Sequence, residues 1–139
     1  MSRLLDLLLR PETPDVQKQL PRGSYELPRL SELYGEPFVL QLKAVPYGRA
    51  LELKDMADME LQTVLAGDDS GVWKNPELME RFEAATPAEL VRALLLPGEI
   101  RAVAVAVEQL SGYRRAVLLP WAPPERGVQA AVAEEVAKN

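Results

Sequence analysis

The chain contains neither cysteine nor histidine. Disulfides, thiolate nucleophiles, Cys/His zinc sites and imidazole acid–base catalysis are therefore excluded. An absence of cysteine also fits a reducing compartment. Cations are in deficit: 16 Lys and Arg stand against 21 Asp and Glu, for a formal charge of −5. That balance disfavours a phosphate-binding surface and adsorption to anionic lipid. No apolar run approaches the ~20 residues of a membrane span. Met1 to Leu9 is apolar but short, and Arg10-Pro11-Glu12 follows at once. A signal peptide would want an early basic region, a longer apolar run and a small-residue cleavage site, so this segment does not read as one. The expectation is a protein of the cytoplasm, with no nucleic-acid or membrane partner.

What is present supports a core. Apolar residues make up 47% of a 139-residue chain, enough to fold without a metal or disulfide staple. A chain of this length buries roughly 68% of the surface that its unfolded form exposes.

The clearest local signal runs from Thr86 to Ile100. Thr86 is a natural N-cap, and Glu89 can reach back to the Thr86 N–H in a capping box. Pro87 occupies the first helical position, where its missing N–H costs nothing. Leu90, Val91, Leu94 and Leu95 then form one apolar stripe. Pro97-Gly98 breaks that helix, since the residue before a proline is pushed out of α geometry. Ile100, Val103, Ala104, Val107 and Leu110 resume at helical spacing and stop at Ser111-Gly112.

Elsewhere the pattern is mixed. Ser2 can cap a short helix with Leu4, Leu5, Leu8 and Leu9 on one side, ended by Pro11. Such a helix is marginal alone in water, so its leucines must find cover. Residues 11–23 carry Pro11, Pro14, Pro21 and Gly23 and read as a loosely held arm. Ser24 to Leu30 reads as a strand interrupted by Pro28, hence an edge strand or strand end. Leu33 to Glu36 reads as a turn. Phe38, Leu40 and Leu42 alternate in the manner of a half-buried strand. Residues 50–57 suit a helix. Met59 to Ala66 is ambiguous, and the alternation of Met59, Leu61, Thr63 and Leu65 favours a strand ended by Gly67. Asn75-Pro76-Glu77 opens another helix. Pro120, Pro123 and Pro124 forbid a regular helix there, and a final amphipathic helix follows Gly127.

Reactive chemistry finds little support. Asp55, Asp58 and Glu60 cluster but match no calcium-loop spacing, and read as solvated surface. Gly67 to Gly71 lacks the Gly-Lys-Ser/Thr ending of a phosphate loop and reads as a turn. Ser70 and Ser111 have no histidine to activate them and no Gly-x-Ser-x-Gly context. No catalytic, metal-binding or cofactor-binding residue is assigned.

Three apolar features remain. Trp121, in Leu118-Leu-Pro-Trp-Ala-Pro-Pro124, either covers the protein's own core or docks as an extended peptide. Leu4, Leu5, Leu8 and Leu9 at one end, and Val128, Val132 and Val136 at the other, either dock on the core or meet another chain as helices in a groove. These are the candidate partner-binding residues. Thr86, Glu89, Pro97 and Gly98 carry the structural motif.

The same blocks resemble the XkdN-like tail assembly chaperones of long-tailed bacteriophages. The likeness is carried by the leucine-rich Ser2 to Leu9, Leu27-Pro-Arg-Leu-Ser-Glu-Leu33 with Glu36-Pro-Phe38, Leu65-Ala-Gly67 and Asn75-Pro-Glu-Leu78. It continues through Thr86-Pro-Ala-Glu-Leu-Val91, Leu94-Leu-Leu-Pro-Gly-Glu-Ile100, Leu110-Ser-Gly112 and Lys138-Asn139. Arg114 to Arg126 is longer and more apolar than the family pattern. The resemblance implies a protein that binds the tape measure protein, keeps it soluble and brings tail tube subunits to it. It further implies action in the host cytoplasm, absence from the mature virion, and in many phages a longer frameshifted form. It offers no catalytic residues to transfer.

The expected fold is α+β: a small antiparallel sheet of two to three strands from the N-terminal half, and a helical C-terminal half. Expected boundaries are an arm at 1–23, a core at 24–113 and a proline-rich segment with a terminal helix at 114–139. The rival functional reading is a structural tail or baseplate protein.

Overall fold

Leu40 and Leu42 point inward from a strand, as their alternation demands. In the computed structural model, which describes residues 2–113 and 116–123, this is β2 (Val39–Lys43), paired antiparallel with β1 (Arg22–Glu26). The register sets Arg22 opposite Lys43, Ser24 opposite Gln41 and Glu26 opposite Val39. The far edge of β2 is covered by a short stretch of backbone. The Lys43 N–H donates to the Gly67 carbonyl at 2.8 Å, and the Asp69 N–H donates to the Gln41 carbonyl at 2.9 Å. The sheet therefore has two strands, with Gly67–Asp69 standing where a third would lie.

Two expectations are corrected. The first concerns Pro28. It does not interrupt a strand, because β1 ends at Glu26 and Pro28 is the first residue of a helix, α2 (Pro28–Tyr34). The expected turn at Leu33–Glu36 is the end of that helix. Gly35 caps it at φ 72°, a left-handed conformation that costs glycine nothing. Proline at the start and glycine just past the end are the ordinary helix signals, and here they outweigh the β-like composition before them.

The second correction concerns Met59–Ala66, which is a helix and not a strand. Leu61 and Val64 are buried and Leu65 packs against the core, which is spacing of three and four. The alternation seen in the sequence was shared by both readings. Met, Glu, Leu, Gln and Ala are strong helix formers, and that propensity decides. Thr63 is also buried, its hydroxyl donating to the Met59 carbonyl at 2.8 Å.

In chain order the helices are α1 (Arg3–Leu8), α2, α3 (Tyr47–Leu53), α4 (Met59–Ala66), α5 (Pro76–Arg81), α6 (Pro87–Leu94) and α7 (Pro97–Leu110). A 3-10 turn at Val72–Lys74 buries Trp73. Contacts divide the chain into Val16–Arg114 and a second unit made of its ends, Met1–Asp15 and Arg115–Asn139. Within the first unit, Leu27, Leu40, Leu42, Leu61, Val64, Trp73, Leu90, Val91, Val103 and Val107 share one core. The fold is α+β, with the sheet in the N-terminal half and helices thereafter.

The caps explain where the helices start. Asn75 Oδ1 accepts from the Leu78 N–H at 2.9 Å and opens α5. Thr86 Oγ1 accepts from the Glu89 N–H at 3.2 Å and opens α6. Glu89 reaches back one residue further than the capping-box pattern predicts, accepting from the Ala85 N–H at 2.6 Å. Glu99 accepts from the Leu96 N–H at 2.8 Å, and Pro97 sits at the first position of α7.

Gly67 has a role that the sequence did not reveal. A β-carbon there would lie 2.4 Å from Val107 Cγ2, so α4 ends against α7 only because residue 67 lacks a side chain. Ser111 ties down the other end of α7. Its hydroxyl accepts from the Val45 N–H at 2.9 Å and donates to the Val107 carbonyl at 2.8 Å.

Candidate partner-binding site

The N-terminal helix begins as its sequence says. Ser2 Oγ accepts from the Leu5 N–H at 3.1 Å, and Asp6 lies in the first turn. The Thr13 hydroxyl donates to the Leu7 carbonyl at 3.1 Å near the other end. The helix buries no residue. Leu4 is 68% exposed, Leu8 66% and Leu9 69%, and Leu5 is also exposed. Four leucines thus stand in water on six helical residues and their C-cap. Burying one such side chain gains roughly 1.5–3 kcal/mol. Exposed apolar side chains grouped in this way make the face a candidate interaction surface.

Trp121 lies on a separate, non-helical stretch and is 85% exposed, with Val117 and Leu118 exposed beside it. It covers no core. Val128, Val132 and Val136 lie outside the described residues. Leu4, Leu5, Leu8 and Leu9 are therefore brought together on one helix, while Trp121 stands on a stretch of its own.

A second apolar surface lies within the Val16–Arg114 unit. The bend at Pro46, α3, α4 and the end of α7 line a partly open pocket of about 130 Å³, with Val45, Ala50, Leu53, Met59, Val107 and Tyr113 among its walls. A void of that size and lining holds one aliphatic or aromatic group. Next to it runs a wider apolar groove between Val16, Leu20 and Leu110, with Tyr47 and Tyr113 exposed at its rim. Sequence reading missed this groove, because its walls come from segments far apart in the chain. Tyr47 and Tyr113, aromatic residues beside Pro46 and Gly112, were the available signal.

The polar clusters are structural. Asp58 accepts from Gln62 Nε2 at 3.0 Å, and Glu60 pairs with Arg101 at 2.8 Å on the surface. Asp68 holds its own loop, accepting from the Ser70 N–H and hydroxyl and from the Gly71 N–H. Among the described residues no group of three acidic side chains is placed to hold a metal ion.

One ion pair stands apart. Arg29 on α2 grips Glu99 on α7 through two hydrogen bonds, of 3.0 and 2.9 Å, and donates also to the Leu94 carbonyl of α6 at 2.9 Å. The Arg29 hydrogen bond holds the Glu99 carboxyl below its ordinary range, although its partial burial works the other way. The same bond holds Arg29 all the more firmly charged. Each shift is explained by the other partner, so the pair locks the α6–α7 corner to α2 and is not poised for proton transfer.

The groove's α3 and α7 walls fall within the stretch covered by a known family. A model described as phage XkdN-like tail assembly chaperone protein matches residues 43–117, more than half of the chain. The crystal structure of the protein YqbN has a similar fold, with a TM-score of 0.54 at 18% identity, covering 76% of this chain and 94% of that one. At that identity the likeness speaks for the fold alone. No curated protein matches the chain.

Proposed function

The chain belongs to the phage XkdN-like tail assembly chaperones, and from that premise we propose that it binds the tape measure protein reversibly through exposed apolar side chains. The observation that carries this reading is the uncovered leucine face of α1, with Trp121 as a further exposed anchor. A tape measure protein is a long helical client whose apolar stripes need cover until the tube subunits arrive. A short leucine-faced helix offers that cover and releases it easily, because part of the burial energy offsets the entropy of ordering both chains.

The acidic balance supports the same reading. A formal charge of −5 keeps a complex soluble and favours clients with basic flanks. Bond-making chemistry has no place in this account: the function is to hold and hand over. It follows that the protein acts in the host cytoplasm and leaves before the particle is finished. The tail tube protein and a longer frameshifted form of the chain are further expected partners.

Co-expression with the tape measure protein of the same phage is the test. Rescue of tape measure solubility and co-purification of the two are expected. Failure of both would refute the proposal, as would a stoichiometric amount of this chain in purified virions.

A further inference from the structure

The free edge of β1 carries an inference independent of the client reading. The Ala44 N–H donates to the Pro21 carbonyl at 2.8 Å, and the Leu27 N–H donates to the Phe38 carbonyl at 3.1 Å. These two bonds fix the phase of the ladder. Residues 21, 23, 25 and 27 direct their backbone groups toward β2. The outer side of β2 agrees, since Gln41 and Lys43 bond the Gly67–Asp69 backbone there. Arg22, Ser24 and Glu26 therefore direct their N–H and carbonyl groups away from β2. Among the described residues β1 has no other strand neighbour, and the side chains of these three residues are exposed.

We propose that this edge pairs with the same edge of a second copy, antiparallel and centred on Ser24, to form one continuous sheet across a two-fold axis. The sequence Arg22-Gly-Ser-Tyr-Glu26 complements itself in that register. Arg22 falls opposite Glu26 of the copy, twice by symmetry, and the two Ser24 residues face each other. On the opposite face Tyr25 of one copy falls across from Gly23 of the other, which has no side chain to clash with it. Gly23 already packs tightly on Leu110, a β-carbon there lying 3.1 Å from its Cδ2, so α7 backs this face in each copy. A shift of two residues in either direction keeps the hydrogen bonds possible but loses the charge pairing.

Edge strands are commonly defended by charge. Here the charges defend against strangers and invite the chain's own image, because one end of the strand is positive and the other negative. Both are held near the strand and neither is saturated. Arg22 Nε lies 3.4 Å from Asp69, which leaves its terminal nitrogens to donate. Glu26 accepts from the Ser31 hydroxyl with one oxygen, at 2.7 Å, and keeps the other. The patch is small, so the pairing is weak and concentration-dependent.

Sedimentation of the full chain from micromolar to millimolar concentration is expected to show a monomer–dimer equilibrium. Arg22→Glu and Glu26→Arg should each weaken it by about tenfold through like charges placed opposite each other. The double reversal Arg22→Glu/Glu26→Arg should restore it. In a chain that lacks cysteine, Ser24→Cys should cross-link to a covalent dimer on mild oxidation, and Ser70→Cys, exposed beyond the opposite edge of the sheet, should not. A chain that stays monomeric at every concentration would overturn the proposal. So would a double reversal no better than the singles, equal cross-linking at both positions, or protection of β1 amides only when a different protein is added.

Discussion

Helices α1 and α7 are written in the same code and used in opposite ways. Both are amphipathic, and both follow a sound N-terminal signal. In α7 the middle of the apolar stripe is buried, Val103 and Val107 being 0% exposed, and fourteen residues give it length to pack on α4, β1 and β2. In α1 six residues and their C-cap carry a leucine face that stays exposed. Amphipathicity states only that a helix needs a surface to lie on. It does not state whether that surface belongs to the same chain, and length together with flanking prolines is what separates the two cases.

That contrast can be broken from the inside first. Leu90→Ala opens a cavity where Leu90 is fully buried on α6 and should destabilise the fold by about 3 kcal/mol, read from the denaturant midpoint. Gly67→Ala drives a methyl group into Val107 and should cost about 1–3 kcal/mol in the same measurement. A Gly67→Ala variant as stable as wild type would mean that α4 and α7 are less closely seated than described.

The corner at Glu99 sharpens the contrast through pH. Its folded carboxyl titrates below the ordinary range. Its contribution is therefore complete above the ordinary carboxylate range, and is lost as pH falls through the lower, folded value. Glu99→Gln should cost about 1 kcal/mol at neutral pH, the size of a cap effect. The gap from wild type should close as acid protonates the native side chain. A gap that is constant across that range would remove the charge from the explanation.

The smallest effect on stability is expected where the largest effect on function is proposed. Leu4→Ser with Leu8→Ser should change unfolding free energy by less than about 0.5 kcal/mol, because neither side chain is buried. The same variant should lose capture of the tape measure protein. A fall in melting temperature like that of Leu90→Ala would place those leucines in a core.

Much of this was legible in the sequence, and for identifiable reasons. Asn75 and Thr86 marked helix starts because caps act within one turn, and Pro97-Gly98, read as a break, is also where the next helix begins. Leu40 and Leu42 marked a strand because side chains alternate across it. The misreadings share one cause. Pro28 and Met59–Ala66 each satisfied two local patterns, and the helix signals, a proline start with a glycine end in one and strong helix formers in the other, outweighed the strand-like ones. The Arg29–Glu99 pair, 70 residues apart in sequence, left no local trace at all. Nor did the groove beneath Tyr47 and Tyr113. The candidate partner residues were legible as apolar surplus, and Leu4, Leu5, Leu8, Leu9 and Trp121 are exposed.

Hydrogen exchange at residues 2–9, with and without bound tape measure protein, tests the central claim most directly. The account predicts fast exchange in the free chain, slow exchange in the complex, and unchanged slow exchange at Leu90 to Val107. Slow exchange at residues 2–9 in the free chain, or no change there on binding, would contradict it.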